Sequence, residues 1–274
     1  MIVRASARLF AFIGDPVAQG MMPGRLNAFL AEAGIDAVMV PMHVPAPAVG
    51  ALLDNLAQLG NYDGSIVTIP HKAVAFEWAA RRTSRAEACG VANILFRDDG
   101  DAWAADNLDG LGMLGALQAV GFDASGARAL VIGCGGAGAA IAASLAERGA
   151  GRLKLTDVDP AKAERLAGRL RRCFPGIATE AGAADPAGCN LVVNATPLGM
   201  ADGDPMVCDP ATFEPGTVAA DAVARTDGTR FLREARRQGH RTADGLAMVE
   251  HQMDHVCRLF GLPPWPESGA SAPG

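Results

Sequence analysis

The sequence predicts an α/β fold of two domains. One is an N-terminal α/β substrate domain with a mainly parallel sheet; the other is a Rossmann dinucleotide-binding domain, and C-terminal helices close the structure. Three observations predict it. Short apolar runs alternate with segments of helical spacing along the 274 residues. The turn Gly133-Cys134-Gly135-Gly136-Ala137-Gly138 separates a strand-like run, Ala129–Ile132, from a helix-like run, Ala139–Leu145. Asp157 then stands near the end of the next strand-like run. Strand, G-x-G-x-x-G, helix and distal acid together make the dinucleotide fingerprint. This unit starts mid-chain, so the residues before it must form another body.

In the first half, Leu9–Ile13 reads as a strand ending at Gly14-Asp15-Pro16, and a helix follows from Pro23 to Ala33. Ala37–Val44 is a second strand, and Val49–Leu59 has helical amphipathic spacing. Gly64–Ile69 is a third strand stopped by Pro70, followed by a helix over 72–80. Val91–Phe96 and Trp103–Ala105 read as a hairpin turning at Asp98-Asp99-Gly100. A helix runs from Asp109 toward Gly121. The second unit has strands at 129–132, 152–156, 191–194 and 218–221 with helices between, and 247–260 reads as one last helix. The expected division is 1–106 with 240–274 as the substrate-binding catalytic domain, and 107–239 as the NAD(P)-binding domain. A cleft between such domains is a common ligand site.

Composition narrows the function. Half the residues are hydrophobic, enough for a real core, and the net charge of −6 argues against a nucleic-acid partner. The clusters Arg81-Arg82 and Arg169 to Arg172 lie in helical patterns and read as solvated faces. The run 129–146 carries no charge, but its glycines, each costing about 1 kcal/mol in a helix interior, argue against a membrane span. Six scattered cysteines without a C-x-x-C pattern, and a start unlike a signal peptide, suggest reduced thiols in the cytoplasm. The Pro-, Gly- and Ser-rich tail after Phe260 is expected to fray. His251 and His255 are four apart on a helical pattern with no third ligand, so no metal is expected. The expected partner is a small molecule bound by a monomer or homodimer.

In the glycine turn, Gly133 permits the tight bend, Gly135 lets a pyrophosphate approach the backbone, and Gly138 lets helix and strand pack closely. The first helical N–H groups, at Gly136 and Ala137, face the phosphates. An acid at Asp157 hydrogen-bonds a ribose 2′-OH and repels a 2′-phosphate, so NAD is expected ahead of NADP. Asp157 is equally placed to cap the helix over 160–172. In the first half, Thr68-Ile69-Pro70-His71-Lys72, Asn93 and Asn107-Leu108-Asp109-Gly110 hold the chemical groups. A lysine desolvated in a cleft can exchange a proton with a substrate hydroxyl, with a carboxylate beside it. The bare residue types also allow Lys72 to begin a solvated helix and Asp109 to cap the next one.

Six ordered motifs resemble the shikimate dehydrogenase family across nearly the whole length. They are Gly14-Asp15-Pro16-Val17-Ala18, Thr68 to Lys72, Gly90 to Asn93 and Asn107 to Gly112, then Asn194-Ala195-Thr196-Pro197-Leu198-Gly199-Met200 and Asp244-Gly245-Leu246-Ala247-Met248 with Gln252. The resemblance implies an NAD(P)-dependent dehydrogenase acting on a ring hydroxyl of a shikimate- or quinate-like acid. It implies Lys72 as the acid/base, Asp109 as its partner, and Thr68, Asn93 and Gln252 as hydrogen-bonding groups for substrate hydroxyls. It places Asn194, Ala195, Thr196, Pro197, Ala222, Gly245 and Met248 on the cofactor side.

The substrate end departs from that pattern. The family's S-x-S-P, whose hydroxyls hold the substrate carboxylate, is here Gly20-Met21-Met22-Pro23. Ala224 stands where a tyrosine is common, Ile66 where an asparagine is expected, and Leu108 for the threonine of N-T-D-G. Gly20 and Met22 therefore bring no hydroxyl to the substrate, and Arg25 is a candidate replacement anchor. An apolar pocket cannot discriminate as a hydrogen-bonding one does. Asp157-Val158-Asp159 also lacks the N-R-T of NADP users. The alternatives are a dehydrogenase of a different cyclic hydroxy compound, or a dinucleotide-binding protein without turnover.

Overall fold

The computed structural model describes residues 3–266. By packing, the described residues form two units: 3–86, 90–108 and 253–266 in the first, and 87–89 with 109–252 in the second.

The first unit runs β1 (Arg8–Gly14), α1 (Met22–Glu32), β2 (Ala37–His43), α2 (Val49–Leu56), β3 (Tyr62–Val67), α3 (Lys72–Trp78), β4 (Arg81–Arg82), α4 (Ser84–Cys89, which crosses the division), β5 (Ile94–Arg97) and β6 (Trp103–Asp106). Its six strands lie in the order β2-β1-β3-β5-β6-β4. The first three are mutually parallel, while β5 runs antiparallel to both β3 and β6. Alternate side chains of a strand face opposite ways. Ala11, Ile13, Val67 and Leu95 therefore join Leu53 of α2 and Phe76 of α3 in one core layer. On the other face Phe10 stacks on Phe260 with centroids 4.4 Å apart. Leu26 and Leu30 of α1 are fully buried.

The second unit runs α5 (Asp109–Ala119), β7 (Arg128–Ile132), α6 (Gly136–Glu147), β8 (Arg152–Thr156), α7 (Pro160–Cys173), β9 (Ala178–Ala181), β10 (Leu191–Asn194), β11 (Val218–Asp221), α8 (Arg230–Arg237), β12 (Thr242–Ala243) and α9 (Gly245–Glu250). The chain returns to the first unit with α10 (Met253–Leu259). All six strands of the second sheet are parallel, in the order β12-β11-β10-β7-β8-β9. Numbered from β7, this is the 3-2-1-4-5-6 order of dinucleotide-binding sheets, and its switch point lies between β7 and β10. The central strands are buried on both faces, which explains their unbroken apolar runs.

Several elements differ from the sequence expectation. The helix expected over 247–260 is two helices broken at His251-Gln252. The first packs on α5 and the second belongs to the first unit, so residues 240–252 pack with the second unit. Arg81-Arg82 is not a solvated helical face but a short strand beside β6. There Arg82 Nε donates to the Phe76 carbonyl at 2.6 Å, and Arg81 pairs with Asp98 at 2.8 Å. Arg171 and Arg172 do lie exposed in the last turn of α7. The chain just beyond Phe260 is packed rather than frayed: Leu262 is buried and Trp265 rests on Phe29 at 5.0 Å. The rest of the tail, 267–274, lies outside the described residues. No helix among the described residues is long and apolar enough to cross a membrane.

Candidate functional site

In the first unit, β1 and β3 are parallel neighbours, so both strands end on the same edge of the sheet. Ligands of α/β sheets bind outside such carboxyl ends. Thr68, next after β3, donates its N–H to the Ile13 carbonyl at 2.8 Å. The His71 N–H bonds the Thr68 carbonyl at 2.9 Å, and the buried His71 ring meets the Val44 carbonyl at 2.7 Å. This tied turn delivers Lys72, half-buried, as the first residue of α3. The Lys72 carbonyl accepts from Ala92 N–H, and Asn93 follows with its own carbonyl bonded by Val67 N–H. Thr68, Lys72 and Asn93 thus share one edge. Asn93 Oδ1 accepts the Leu108 N–H at 2.8 Å, which spends that oxygen on the backbone and fixes the residue before Asp109. The adjoining Asp106 carboxylate, buried, takes Thr83 Oγ1, Arg85 Nη2 and Asn107 N–H.

The Gly20 region differs from a merely stripped serine site. A Cβ built on Gly20 falls 2.5 Å from Phe12 Cζ and 3.1 Å from the Val17 carbonyl oxygen. Met22 is buried at the start of α1, and Arg25 lies half-buried one turn further on.

In the second unit, Asp109 opens α5 and is buried. A Cβ at Gly110 would strike Ser144 Oγ and the Ala140 carbonyl of α6. One at Gly112 would strike the Met248 carbonyl and lie 2.7 Å from Gln252 Cγ. These two glycines let α5 lie directly between α6 and α9, and they bring Met248 and the buried Gln252 against the helix that Asp109 starts. The His251 side chain packs at Gly115. Among the described residues no cluster of three or more His, Cys, Asp or Glu could hold a metal ion.

The glycine turn sits at the switch point. Gly133 has φ +97°, and a Cβ there would lie 2.8 Å from the Ala195 carbonyl oxygen at the end of β10. A Cβ at Gly138 would fall on the Gly133 carbonyl. Gly135 is the opposite case: a Cβ there meets no protein atom within 4 Å. Gly135 also caps α6 without any side-chain bond, and Gly136 and Ala137 begin the helix. Uncapped first-turn N–H groups beside open space fit a pyrophosphate. Asp157 reaches back to the turn, accepting from Cys134 N–H at 2.7 Å through one oxygen and from Asp159 N–H at 2.9 Å through the other. The cap of α7 is Asp159, not Asp157, through its bond from Ala161 N–H. Val158 between them is fully exposed. Burial and the Asp157 charge push the Cys134 thiol up to about 12, so it stays protonated within the turn.

The Asn194–Met200 loop is shaped from inside. Asn194 is 0% exposed. Its Oδ1 accepts from Thr196 N–H and Oγ1, and its Nδ2 donates to the Leu198 carbonyl and Asp221 Oδ1. Asn194 therefore holds the loop, and half-buried Ala195 and Thr196 with exposed Pro197 form its surface. Ala222 donates its N–H to the Asn194 carbonyl, and Gly245 packs so closely on Val223-Ala224 that a Cβ would lie 2.5 Å from the Val223 carbonyl carbon. The sequence reading missed Asp221 and Asp204. Asp204 accepts from Gly199 and Ala201 N–H, and these bonds hold its carboxyl below the usual range. The signal for Asp221 was its place at the end of an apolar strand, matching Asn194 on the neighbour.

The family's substrate-binding domain, described as the shikimate dehydrogenase substrate binding domain, matches residues 12–95. A shikimate dehydrogenase (NADP(+)) of Rubrobacter xylanophilus is 36% identical over 89% of this chain and 87% of its own. The chain belongs to the shikimate dehydrogenase family. The quinate dehydrogenase of Corynebacterium glutamicum, solved in complex with NAD, is 25% identical with a TM-score of 0.83 over 94% of this chain and 95% of its own. The 5-ketofructose reductase of Gluconobacter sp. strain CHM43 is 26% identical with a TM-score of 0.84 over the same shares. These likenesses run through both units of the chain.

Asp221 supplies a test of the loop scaffold. Burial pushes its carboxyl up to about 6, against the bonds from Thr229, Val223 and Asn194. A raised folded-state pKa means that stability is fully present below about pH 4 and lost as pH rises to about 6. In urea titrations, wild type should lose up to about 3 kcal/mol relative to Asp221→Asn across that window. A difference that stays flat with pH would show that Asp221 does not titrate there.

Proposed function

We propose that this protein is a nicotinamide-dependent oxidoreductase that interconverts a ring hydroxyl and ketone of a shikimate- or quinate-like compound, such as shikimate and 3-dehydroshikimate. One observation carries the reading: the α6 N-terminus opens at Gly135 where the two halves of a dinucleotide sheet diverge, in a chain of this family. Gly133 to Gly138 and Asp157 hold the dinucleotide, and Ala195, Thr196, Pro197, Ala222, Gly245 and Met248 shape the nicotinamide side. The bound nicotinamide supplies or accepts the hydride. Lys72 Nζ gives its proton to the carbonyl oxygen during reduction and takes the hydroxyl proton during oxidation, and Asp109 is the carboxylate that serves it. Thr68, Asn93 and Gln252 orient the ring hydroxyls. The six cysteines are all free, which supports a reducing, cytoplasmic setting.

A second reading has the same chemistry on a different hydroxy compound. The loss of both hydroxyls at Gly20 and Met22 supports it, as does the likeness to a ketose reductase.

NAD is the cofactor that the residues favour. Asp157 and Asp159 are acidic and Val158 offers nothing to a 2′-phosphate. The Rubrobacter relative is named for NADP(+), which leans the other way, whereas the Corynebacterium enzyme was solved with NAD.

Lys72→Ala should lower kcat by about 10²–10⁴-fold while leaving dinucleotide affinity and melting temperature near wild type. If wild type and variant are equally inactive on cyclic polyols while both bind dinucleotide, the protein binds without turnover. For the cofactor, wild-type kcat/KM should be higher with NAD than with NADP. Asp157→Asn with Val158→Arg should move the ratio toward NADP by about 10–100-fold, the worth of one hydrogen bond to a charged group. A wild type that prefers NADP contradicts the assignment.

A further inference from the structure

We propose that Phe12, locked against Gly20, sets substrate choice, and that it selects a neutral polyhydroxylated ring over a ring carboxylate. The proposal rests on the dehydrogenase reading above. Phe12 lies on β1 in register with Pro41 of β2 and Ile66 of β3, and Ile66 is opposite Ile94 of β5. Partners in register project to the same face of a sheet. Pro41, Phe12, Ile66 and Ile94 therefore form an apolar row across the sheet, two residues short of the edge from which Thr68 emerges.

The Phe12 ring meets the loop after β1 at Gly20. The Gly20 N–H is bonded to the Val17 carbonyl at 2.9 Å, which closes a turn of that loop beside the ring. With the Phe12 ring 2.5 Å and the Val17 oxygen 3.1 Å from its Cβ position, Gly20 can carry no side chain while Phe12 stands. Phe12 is 5% exposed and flanked by Ile66, so the ring has little room to turn away. The glycine is thus one member of a matched pair, and the space a hydroxyl would use is filled by aromatic carbon.

Electrostatics point the same way. A carboxylate set against this wall loses water and gains no donor, which is costly for an ion and far less so for a hydroxyl. The only charged side chain of the loop 15–21 is itself an acid, Asp15, hydrogen-bonded to His43 Nε2 at 2.6 Å. The competing cation is Arg25, in the first turn of α1.

The test compares wild-type kcat/KM for shikimate and for its analogue bearing CH2OH in place of the carboxylate. The analogue should be favoured by about tenfold or more. Gly20→Ser alone should impair folding or activity on both substrates, and adding Phe12→Val should rescue it. That double variant should shift the ratio toward shikimate by about 10–100-fold. Phe12→Val alone supplies the same readout, with a smaller shift, if the double variant does not fold. A wild type that prefers shikimate, with the preference lost in Arg25→Gln, overturns the proposal and leaves the dehydrogenase reading intact. A ratio unmoved by the Phe12 variants also overturns it. If no form of the protein oxidises either compound while dinucleotide still binds, the dehydrogenase reading itself falls.

Discussion

The second unit depends on one close approach of backbone to backbone. The left-handed Gly133 lies so near the Ala195 carbonyl that no side chain fits, and Gly138 lies on the Gly133 carbonyl in the same way. These contacts press the start of α6 against the ends of β7 and β10, and they leave Gly135 as the residue with space outside the protein. The approach is held from behind by a buried network. Asn194 links the loop to Asp221, and Asp221 in turn takes Thr229. Removing one member leaves a buried polar group unpaired, at a cost of about 1–3 kcal/mol, so the network behaves as a unit. For Asp221, desolvation outweighs three hydrogen bonds in setting its pKa near 6, yet the group is ionised at neutral pH.

The first unit solves a different problem with the same geometry. Its parallel strands deliver Thr68 and Lys72 to one edge, and the antiparallel β5 brings Asn93 beside them. Asn93 is also structural, since its side-chain oxygen anchors the backbone just before Asp109. Asp106 adds a buried carboxylate with three donors at the same crossing. Lys72 is thus placed by backbone hydrogen bonds, while the contact of Phe12 with Gly20 is made by side-chain packing. On that separation, the Phe12–Gly20 pair can change without altering the backbone bonds that hold Lys72.

Much of this was legible in the sequence because the relevant forces act locally. The glycine turn, the strands buried on both faces and the strand-end motifs each leave a continuous signature in a few residues. What was missed depends on partners distant in sequence. Ala178–Ala181 and Thr242–Ala243 are edge strands of alternating or minimal apolar content, made strands only by β8 and β11. Arg81-Arg82 is extended because β6 pairs with it, against its helical flanks. The break at His251 arises because α9 packs on α5 while α10 belongs to the other unit. Gly20 was readable as a missing serine; that Phe12 fills its place is a tertiary fact.

The account stands or falls on a nicotinamide dinucleotide lying against Gly135. Gly135→Val adds a side chain where no protein atom beyond its chain neighbours stands within 4 Å of the Cβ, on an extended backbone with negative φ. Calorimetric titration of NAD and NADP into wild type and this variant, beside their thermal melts, separates binding from folding. The account predicts an unchanged melting temperature and at least about tenfold weaker dinucleotide binding, a loss of about 1.4 kcal/mol. Undiminished affinity in a folded Gly135→Val protein would contradict it.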